Sequence, residues 1–202
     1  LFPTDLLNTS QQPLDLNVTF ARDADSDSIT IYYYINGKLN QTSLTNTTFN
    51  ASSGNYILNV SLSDGFANTS NVTVNFTIDT APPIVNTSLN KSLTNIVFGD
   101  IINLTANATD SVSLSFGQII VNDTGFFRYF NFSLESSNIA QLSQNITINC
   151  YGGCVINFTV RVNDTSNNFR TNDTIITVFD NIKPRINASI NNSAPRINEA
   201  VN

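Results

Sequence analysis

The sequence predicts an all-β protein built of antiparallel β-sandwiches, and three observations support this. Polar and apolar residues alternate with a period of two in six segments, which is typical of half-buried strands. Turn signals rich in Gly and Asn separate these segments. No stretch of useful length has helical periodicity, and residues 132–144 could hold one short helical turn at most. The alternating segments are 28–37, 55–65, 71–79, 144–149, 154–164 and 172–180.

The turn signals justify the ends of the predicted strands. Gly and Asn accept the positive φ angles that tight hairpins require, so a Gly or Asn pair between two alternating segments indicates a reversal of the chain. Short strands joined by such turns, with no helices between them, are typical of β-sandwiches. The signals are Asn36-Gly37, Ser53-Gly54-Asn55, Asp64-Gly65 and Gly152-Gly153.

The composition excludes several classes of function. Charged residues make up 12% of the chain, about half the usual share, and Asn, Ser and Thr supply the polar surface instead. The net charge is −6 with no basic run, so a nucleic acid would be repelled. No apolar run approaches the roughly 18 residues of a spanning helix, so we expect no membrane insertion in this segment.

An internal repeat predicts where one domain ends and the next begins. Residues 79–92 resemble residues 180–193 at a shift of 101 positions, and in the segment just before each, Asp64 corresponds to Asp164 at a shift of 100. A period near 100 residues indicates tandem domains with separate cores. The predicted units are 1–80, 81–182, and 183–202, the last being the first strand of a third domain or a strand donated to a neighbouring subunit.

The beginning of the chain fits the same repeat. Asn8-Thr9-Ser10 follows Pro3 much as Asn86-Thr87-Ser88 follows Pro82-Pro83. Leu1 stands where an initiator methionine would be, so we expect a processed chain or a segment of a longer one.

These motifs carry a family resemblance. A final strand that ends in Asp-x-x-x-Pro, the turn at Asp64-Gly65 and the stretch FARDADSDSITIYYYING (20–37) resemble the tandem Ig-like repeats of prokaryotic, especially archaeal, cell-surface glycoproteins. The first domain is similar to cadherin-like and polycystic-kidney-disease-type repeats, whereas the second lacks the Asp-x-Asp-x-Asp run. The resemblance implies tandem Ig-like antiparallel β-sandwich domains and an exported, non-catalytic role.

Asparagine sequons are unusually frequent. Of the 32 asparagines, 21 have Ser or Thr two places on, where chance would give about seven. Alternating strands create some of these, because residues i and i+2 share a face. We predict N-glycans that hydrate the surface and shield sheet edges, the alternative being a surface merely rich in Asn and Thr. Asn103 and Asn157 are expected to be buried, and the predicted sites are Asn8, Asn17, Asn40, Asn46, Asn50, Asn59, Asn68, Asn71, Asn75, Asn86, Asn90, Asn107, Asn122, Asn131, Asn145, Asn163, Asn172, Asn187 and Asn191.

The two cysteines predict a disulfide. Cys150 and Cys154 bracket Tyr-Gly-Gly between two strand-like runs, and facing positions across such a hairpin lie near disulfide distance. The alternative, half of a metal site, has no His and no further Cys to complete it. A disulfide favours an extracytoplasmic location.

Acidic residues predict a calcium site. Asp23, Asp25 and Asp27 offer hard oxygen ligands at alternate positions, which Ca²⁺ prefers, and Asp64 and Asp79 lie near predicted domain ends where cadherin-like repeats hold calcium. The alternative is that these residues satisfy their own turns. In the second domain the candidates are spread more thinly, at Asp110, Asp164 and Asp180.

Nothing in the sequence predicts catalysis. The chain has no His, and its only glutamates are Glu135 and Glu199. Lys38, Lys91 and Lys183 lie in or near predicted turns, which disfavours a covalent Lys–Asn cross-link. We therefore expect no enzyme activity, and no cofactor beyond covalent glycans and Ca²⁺.

The predicted function is structural. We expect a subunit of an extracellular, glycosylated surface filament or cell-envelope array (an S-layer, for example), in which copies of the chain are partners. An adhesin or ligand-binding stalk is one alternative, with residues 37–54 or the face of Tyr32 and Tyr34 as the contact surface. A non-catalytic module of a larger secreted enzyme is the other.

Overall fold

The computed structural model describes residues 1–19, 23 and 26–186, and these form an all-β protein. Fourteen strands and no helix occur in this part of the chain, so none of its elements is a helix that could cross a membrane. The strands assemble into two sandwiches, each with two sheets, and the predicted fold class is confirmed.

The first sandwich contains seven strands. A five-stranded sheet in the order β1-β7-β6-β3-β4 covers a two-stranded sheet of β2 and β5. Its strands are β1 (Leu7–Thr9), β2 (Leu14–Leu16), β3 (Thr30–Ile35), β4 (Lys38–Ser43), β5 (Thr47–Phe49), β6 (Gly54–Ser63) and β7 (Val72–Ile78).

The second sandwich also contains seven strands. A four-stranded sheet in the order β11-β10-β13-β14 packs against a three-stranded sheet in the order β12-β9-β8. Its strands are β8 (Ile84–Leu89), β9 (Ile101–Thr109), β10 (Leu114–Asp123), β11 (Phe126–Ser133), β12 (Ile139–Thr147), β13 (Val155–Asp164) and β14 (Phe169–Thr177).

The alternation of polar and apolar residues along the strands identifies the side chains that form the core. In β3, Ile31 and Tyr33 are fully buried, whereas Tyr32 and Tyr34 lie on the opposite face and are half-buried. The Tyr33 hydroxyl donates to the carbonyl oxygen of Leu16 at 3.4 Å, and burial raises the pKa of Tyr33. The three tyrosines therefore do not form one surface, because successive side chains of a strand point to opposite faces.

The buried apolar residues form two clusters with no member in common. One runs from Leu14 to Ile78 and the other from Val85 to Val178. Pro83, which is buried, lies in the chain between them. The exact limits 1–80 and 81–182 stay a prediction.

The first strands of the two sandwiches pair differently. Asn8 lies in β1, which pairs in parallel with β7 in the five-stranded sheet. Asn86 lies in β8, which pairs antiparallel with β9 in the three-stranded sheet. The chain begins beside the two-stranded sheet, where Phe2 bridges to Asn17, the residue after β2. It crosses to the five-stranded sheet before β1 and there pairs with β7, which accounts for the difference.

The predicted turn at Asn36-Gly37 is confirmed. The two residues have φ angles of 51° and 78° and join β3 to β4 with Ile35 opposite Lys38. Two successive positive φ angles are the requirement of a type I′ hairpin, which matches the twist of the strands. The predicted strand in 183–202 falls mainly on residues outside the described part, and residues 183–186 are exposed and not in a strand.

Candidate functional site at the junction of the sandwiches

Direct hydrogen bonds join the two sandwiches. The side-chain amide of Asn8, in β1, donates to Thr165 Oγ1 at 2.6 Å, and its carbonyl oxygen accepts from Ser166 Oγ at 2.5 Å. Asn168 Nδ2 donates to the backbone oxygen of Asp79 at 2.8 Å. The end of the first sandwich therefore rests on the turn between β13 and β14.

Asp164 holds that turn in shape. Its side chain is fully buried, and Oδ1 accepts hydrogen bonds from the backbone N–H groups of Ser166 at 2.8 Å and Asn168 at 2.9 Å. Asn168 Nδ2 also donates to Asp164 Oδ2 at 2.8 Å. Because the same amide nitrogen contacts Asp79, Asn168 connects the turn to the preceding sandwich.

Asp79 and Asp110 bring two further carboxylates to the junction. Asp79 directly follows β7, its N–H donates to Thr9, and its Oδ1 accepts from the N–H of Ala81 at 3.2 Å. The Asp79 side chain is fully buried, and its Oδ2 has no hydrogen-bond partner among the described residues. Asp110 follows β9 and is half-buried, with Oδ1 accepting from the N–H of Val112 at 2.8 Å.

The three carboxylates form a compact cluster of like charge. One oxygen from each of Asp79, Asp110 and Asp164 lies within 4.8 Å of the other two. Burial, with the nearby charges of Asp110 and Asp164 adding to it, raises the pKa of Asp79. In the described part of the chain the one salt bridge is Lys91–Asp100, so no basic side chain there pairs with the cluster.

Replacement of Asn168 by Ala is expected to loosen the junction by about 1–3 kcal/mol, because two hydrogen bonds are lost and one of them goes to a charged acceptor. Limited proteolysis of residues 79–84 and hydrogen exchange of the β13–β14 turn measure this. The same change at the exposed Asn95 is the control. Equal protection of the linker in both variants would contradict the assigned role.

The structure does not bring the five predicted calcium ligands together. Asp23 and Asp64 line a cavity at the pole of the first sandwich away from the junction. Asp79 lies at the other end of β7, Asp27 is exposed, and Asp25 lies outside the described residues. Since β6 and β7 are antiparallel, the residue after β6 and the residue after β7 are necessarily at opposite poles.

At Asp64 the structure shows the turn interaction that was the alternative to calcium. Its Oδ1 accepts from the N–H groups of Phe66 at 2.8 Å and Ala67 at 2.7 Å. The bonds to Ala67 and Phe66 lower the pKa of Asp64, with a smaller contribution from Asp23.

Asp110 and Asp164, which are thinly spread in the sequence, complete the junction cluster. The available signal was the correspondence between Asp64 and Asp164, which cap the equivalent turns of the two sandwiches. What the correspondence did not reveal is that Asp79 of the first sandwich meets this turn in the second.

The Cys150–Cys154 disulfide is present, with Cα atoms 6.2 Å apart. It closes the turn between β12 and β13, as the spacing predicts. The hairpin contacts the end of the second sandwich: the N–H of Gly153 donates to Val178 at 2.8 Å, and the N–H of Val178 donates to Cys154 at 2.9 Å.

Most sequon asparagines lie at the surface. Among the described ones none is buried, and Asn187 and Asn191 lie outside the described residues. The half-buried ones are Asn8, Asn59, Asn103, Asn122, Asn157, Asn163 and Asn172. The exposed ones are Asn17, Asn40, Asn46, Asn50, Asn68, Asn71, Asn75, Asn86, Asn90, Asn107, Asn131 and Asn145.

Comparison with known proteins identifies no family. No protein-family model matches the chain, and no curated protein matches it. Among solved structures, the chain is similar to SGBP-B of the mixed-linkage glucan utilization locus of Bacteroides ovatus, solved in complex with a mixed-linkage heptasaccharide. The identity is 14% and the TM-score 0.33, and the match covers 87% of this chain and 43% of that protein. This chain thus spans less than half of that protein's length.

Proposed function

We propose that the chain is a structural unit of an extracellular, N-glycosylated filament or cell-envelope layer. Its two units, 1–80 and 81–182, are Ig-like repeats of the cadherin-like and polycystic-kidney-disease-type class found in prokaryotic surface proteins. They hold a fixed spacing and carry no chemistry. Copies of the chain are the partners in the assembly.

The hydrogen-bonded junction is the observation that carries this proposal. Strand β7 is followed by Asp79, which lies at the junction. Strand β14 begins at the junction, directly after Asn168, and its nine residues end at the opposite pole of the second sandwich. At about 3.3 Å per residue, β14 carries the chain roughly 30 Å away from the junction. Entry and exit at opposite poles extend the protein in one direction, which suits a unit of a filament or layer.

Location tests the proposed function. Immunogold electron microscopy of the source cells, with antibodies against this chain, is expected to label an ordered layer or filament outside the membrane. Pre-immune serum is the control. Labelling confined to the cell interior would contradict the proposal.

The segment 1–202, produced in the source cells, is expected to be considerably heavier than its 22.1 kDa polypeptide, because the exposed sequons carry glycans. Intact-mass spectrometry before and after deglycosylation measures the difference. A chain made in a host without N-glycosylation gives the reference mass. A native mass equal to that reference would show that the surface is merely rich in Asn and Thr.

Site occupancy is expected to follow the hydrogen bonding of each amide. The amide nitrogens of Asn8, Asn75, Asn103 and Asn172 donate hydrogen bonds within the fold. Because a glycan replaces a hydrogen on that nitrogen, we expect these four to be unmodified and the exposed Asn46 to be occupied. Glycopeptide mapping decides this, and full occupancy of Asn8 would contradict the junction geometry.

An adhesin or binding stalk is the second candidate, and one surface favours it. Phe127 and Tyr129 are 55% and 58% exposed on the same face of β11, an edge strand. The rings of Phe127 and Tyr129 lie nearly parallel, with centroids 6.2 Å apart. Exposed aromatic groups of this kind mark interaction sites. Loss of attachment of the source cells after Tyr129→Ala, with assembly intact, would favour this candidate.

A further inference from the structure

We propose that a glycan attached to Asn131 packs against the aromatic rings of Tyr129 and Phe127 on the outer face of β11. A sugar carried by the chain itself then covers this exposed aromatic face. The packing requires N-glycosylation of the chain, so it rests on the proposed function and extends it. It singles out one sequon whose first sugar is held by the fold.

The aromatic rings and the sequon form one row on β11. Successive side chains of a strand point to opposite faces, so every second residue shares the outer face. The row is Phe127, Tyr129, Asn131 and Ser133, whereas Phe132 packs partly buried against the core. The rings of Phe127 and Tyr129 lie at 15° to each other with centroids 6.2 Å apart. This spacing is close to the repeat of about 6.6 Å between residues i and i+2 of a strand, so Asn131 occupies the next place after the two rings.

The amide of Asn131 is held in an orientation that suits glycosylation. Gln118 lies directly opposite in β10, and its Nε2 donates to Asn131 Oδ1 at 2.8 Å. Asn131 Nδ2 has no hydrogen-bond acceptor among the described residues. In glycosylation, Nδ2 forms a bond to the anomeric carbon of an activated glycosyl phosphate, the phosphate leaves with its carrier, and Nδ2 loses one proton. The bond from Gln118 is therefore kept.

A sugar at this position gains a favourable contact. The face of an aromatic ring carries partial negative charge, and the C–H groups on one face of a pyranose ring carry partial positive charge. Packing the two together also removes exposed apolar surface of Tyr129 and Phe127 from water. Strand β11 lies at the edge of its sheet, so the glycan also shields an edge open to pairing with another chain.

Asn107 provides a matched site without an aromatic neighbour. It is an exposed sequon in β9, and its Oδ1 accepts from Nε2 of Gln141, directly opposite in β12, at 3.0 Å. The residue two places earlier on the same face is Thr105. The sites at Asn131 and Asn107 thus share the strand setting and the glutamine partner, and they differ in the neighbouring ring.

Removal of each sequon in the glycosylated full chain tests the contact. Ser133→Ala and Thr109→Ala prevent glycosylation of Asn131 and Asn107 without changing either asparagine, and both positions are exposed. We expect Ser133→Ala to lower the unfolding temperature by about 2–6 °C, as the loss of one aromatic contact does in a domain of this size, and Thr109→Ala to have no comparable effect. The same variants made in a host without N-glycosylation give the cost of each substitution itself.

Variants of the ring identify its role. In the glycosylated Tyr129→Ala background, Ser133→Ala should no longer lower the unfolding temperature beyond its cost in the unglycosylated chain. Tyr129→Phe keeps the ring and should keep the full effect. Nuclear Overhauser contacts between the first sugar on Asn131 and the ring of Tyr129 show the packing directly, and none are expected between the sugar on Asn107 and Thr105.

Glycopeptide mapping of the same samples separates the two ways of failing. A glycan on Asn131 that contributes no more to the unfolding temperature than the one on Asn107, and that makes no contact with Tyr129, would overturn the packing and leave the proposed glycosylation intact. The aromatic face would then be open to an external partner, as in an adhesin. Absence of glycans from every sequon would overturn both proposals.

Discussion

Replacement of Phe158 by Ala is expected to destabilise the second sandwich by about 3–5 kcal/mol and to leave the first sandwich folded. Phe158 is fully buried in β13, a central strand of the four-stranded sheet, and no smaller side chain can fill its volume. The two clusters of buried residues share no member, so the cavity affects one of them. Hydrogen exchange at increasing urea concentration measures the stability of each sandwich in the same molecule.

The matched variant is Leu58→Ala in the first sandwich. Leu58 is also fully buried, in β6, and its loss is expected to cost about 2–5 kcal/mol there. The two variants should have opposite patterns, each lowering protection in its own sandwich. Equal loss of protection throughout the chain in both variants would show that the two clusters unfold as one unit, against the predicted tandem division.

Replacement of Cys150 and Cys154 by Ser is expected to cost about 2 kcal/mol, because the disulfide closes a short loop and restricts the unfolded chain. The loss should be local. The hairpin is bonded to Val178, and Gly152 lies so close to Asp180 that a Cβ at position 152 would overlap its backbone. Hydrogen exchange should therefore increase around 150–154 and 178–180.

Reduction of the wild-type protein is the control for the serine variant. Both should give the same pattern of exchange, while protection in β3 and β6 of the first sandwich stays unchanged. An unchanged exchange rate at residues 178–180 after reduction would contradict the role of the hairpin in holding the end of the second sandwich.

Local pattern was sufficient for the strands with one polar and one apolar face. In β13 the buried and outward positions alternate along the strand, so the sequence shows the strand directly. The edge strand β4 is polar apart from Leu39, and β11 carries aromatic residues on both faces. Neither has the polar–apolar contrast on which a period-two pattern depends, so the sequence does not reveal them.

The candidate site was predictable only in part. Asp79 stands out as the last residue before a proline-containing linker, and the repeat identifies it. Its partners Asp110 and Asp164 look like ordinary turn residues, and each does bond its own turn. Nothing local shows that these turns face another sandwich. Asp79 and Asp64 do not lie together, because adjacent antiparallel strands end at opposite poles.

The sequence by itself determined the all-β class, the hairpin at Asn36-Gly37 and the disulfide, since each depends on residues close together in the chain. Tertiary structure alone decided the parallel pairing of β1 with β7 and the meeting of Asp79 with Asp110 and Asp164. Alternation and turn chemistry specify how each strand folds and turns. Which loops come together depends on how the two folded sandwiches dock. Asp110 and Asp164 follow Asp79 by 31 and 85 positions, so no local sequence pattern predicts their contact.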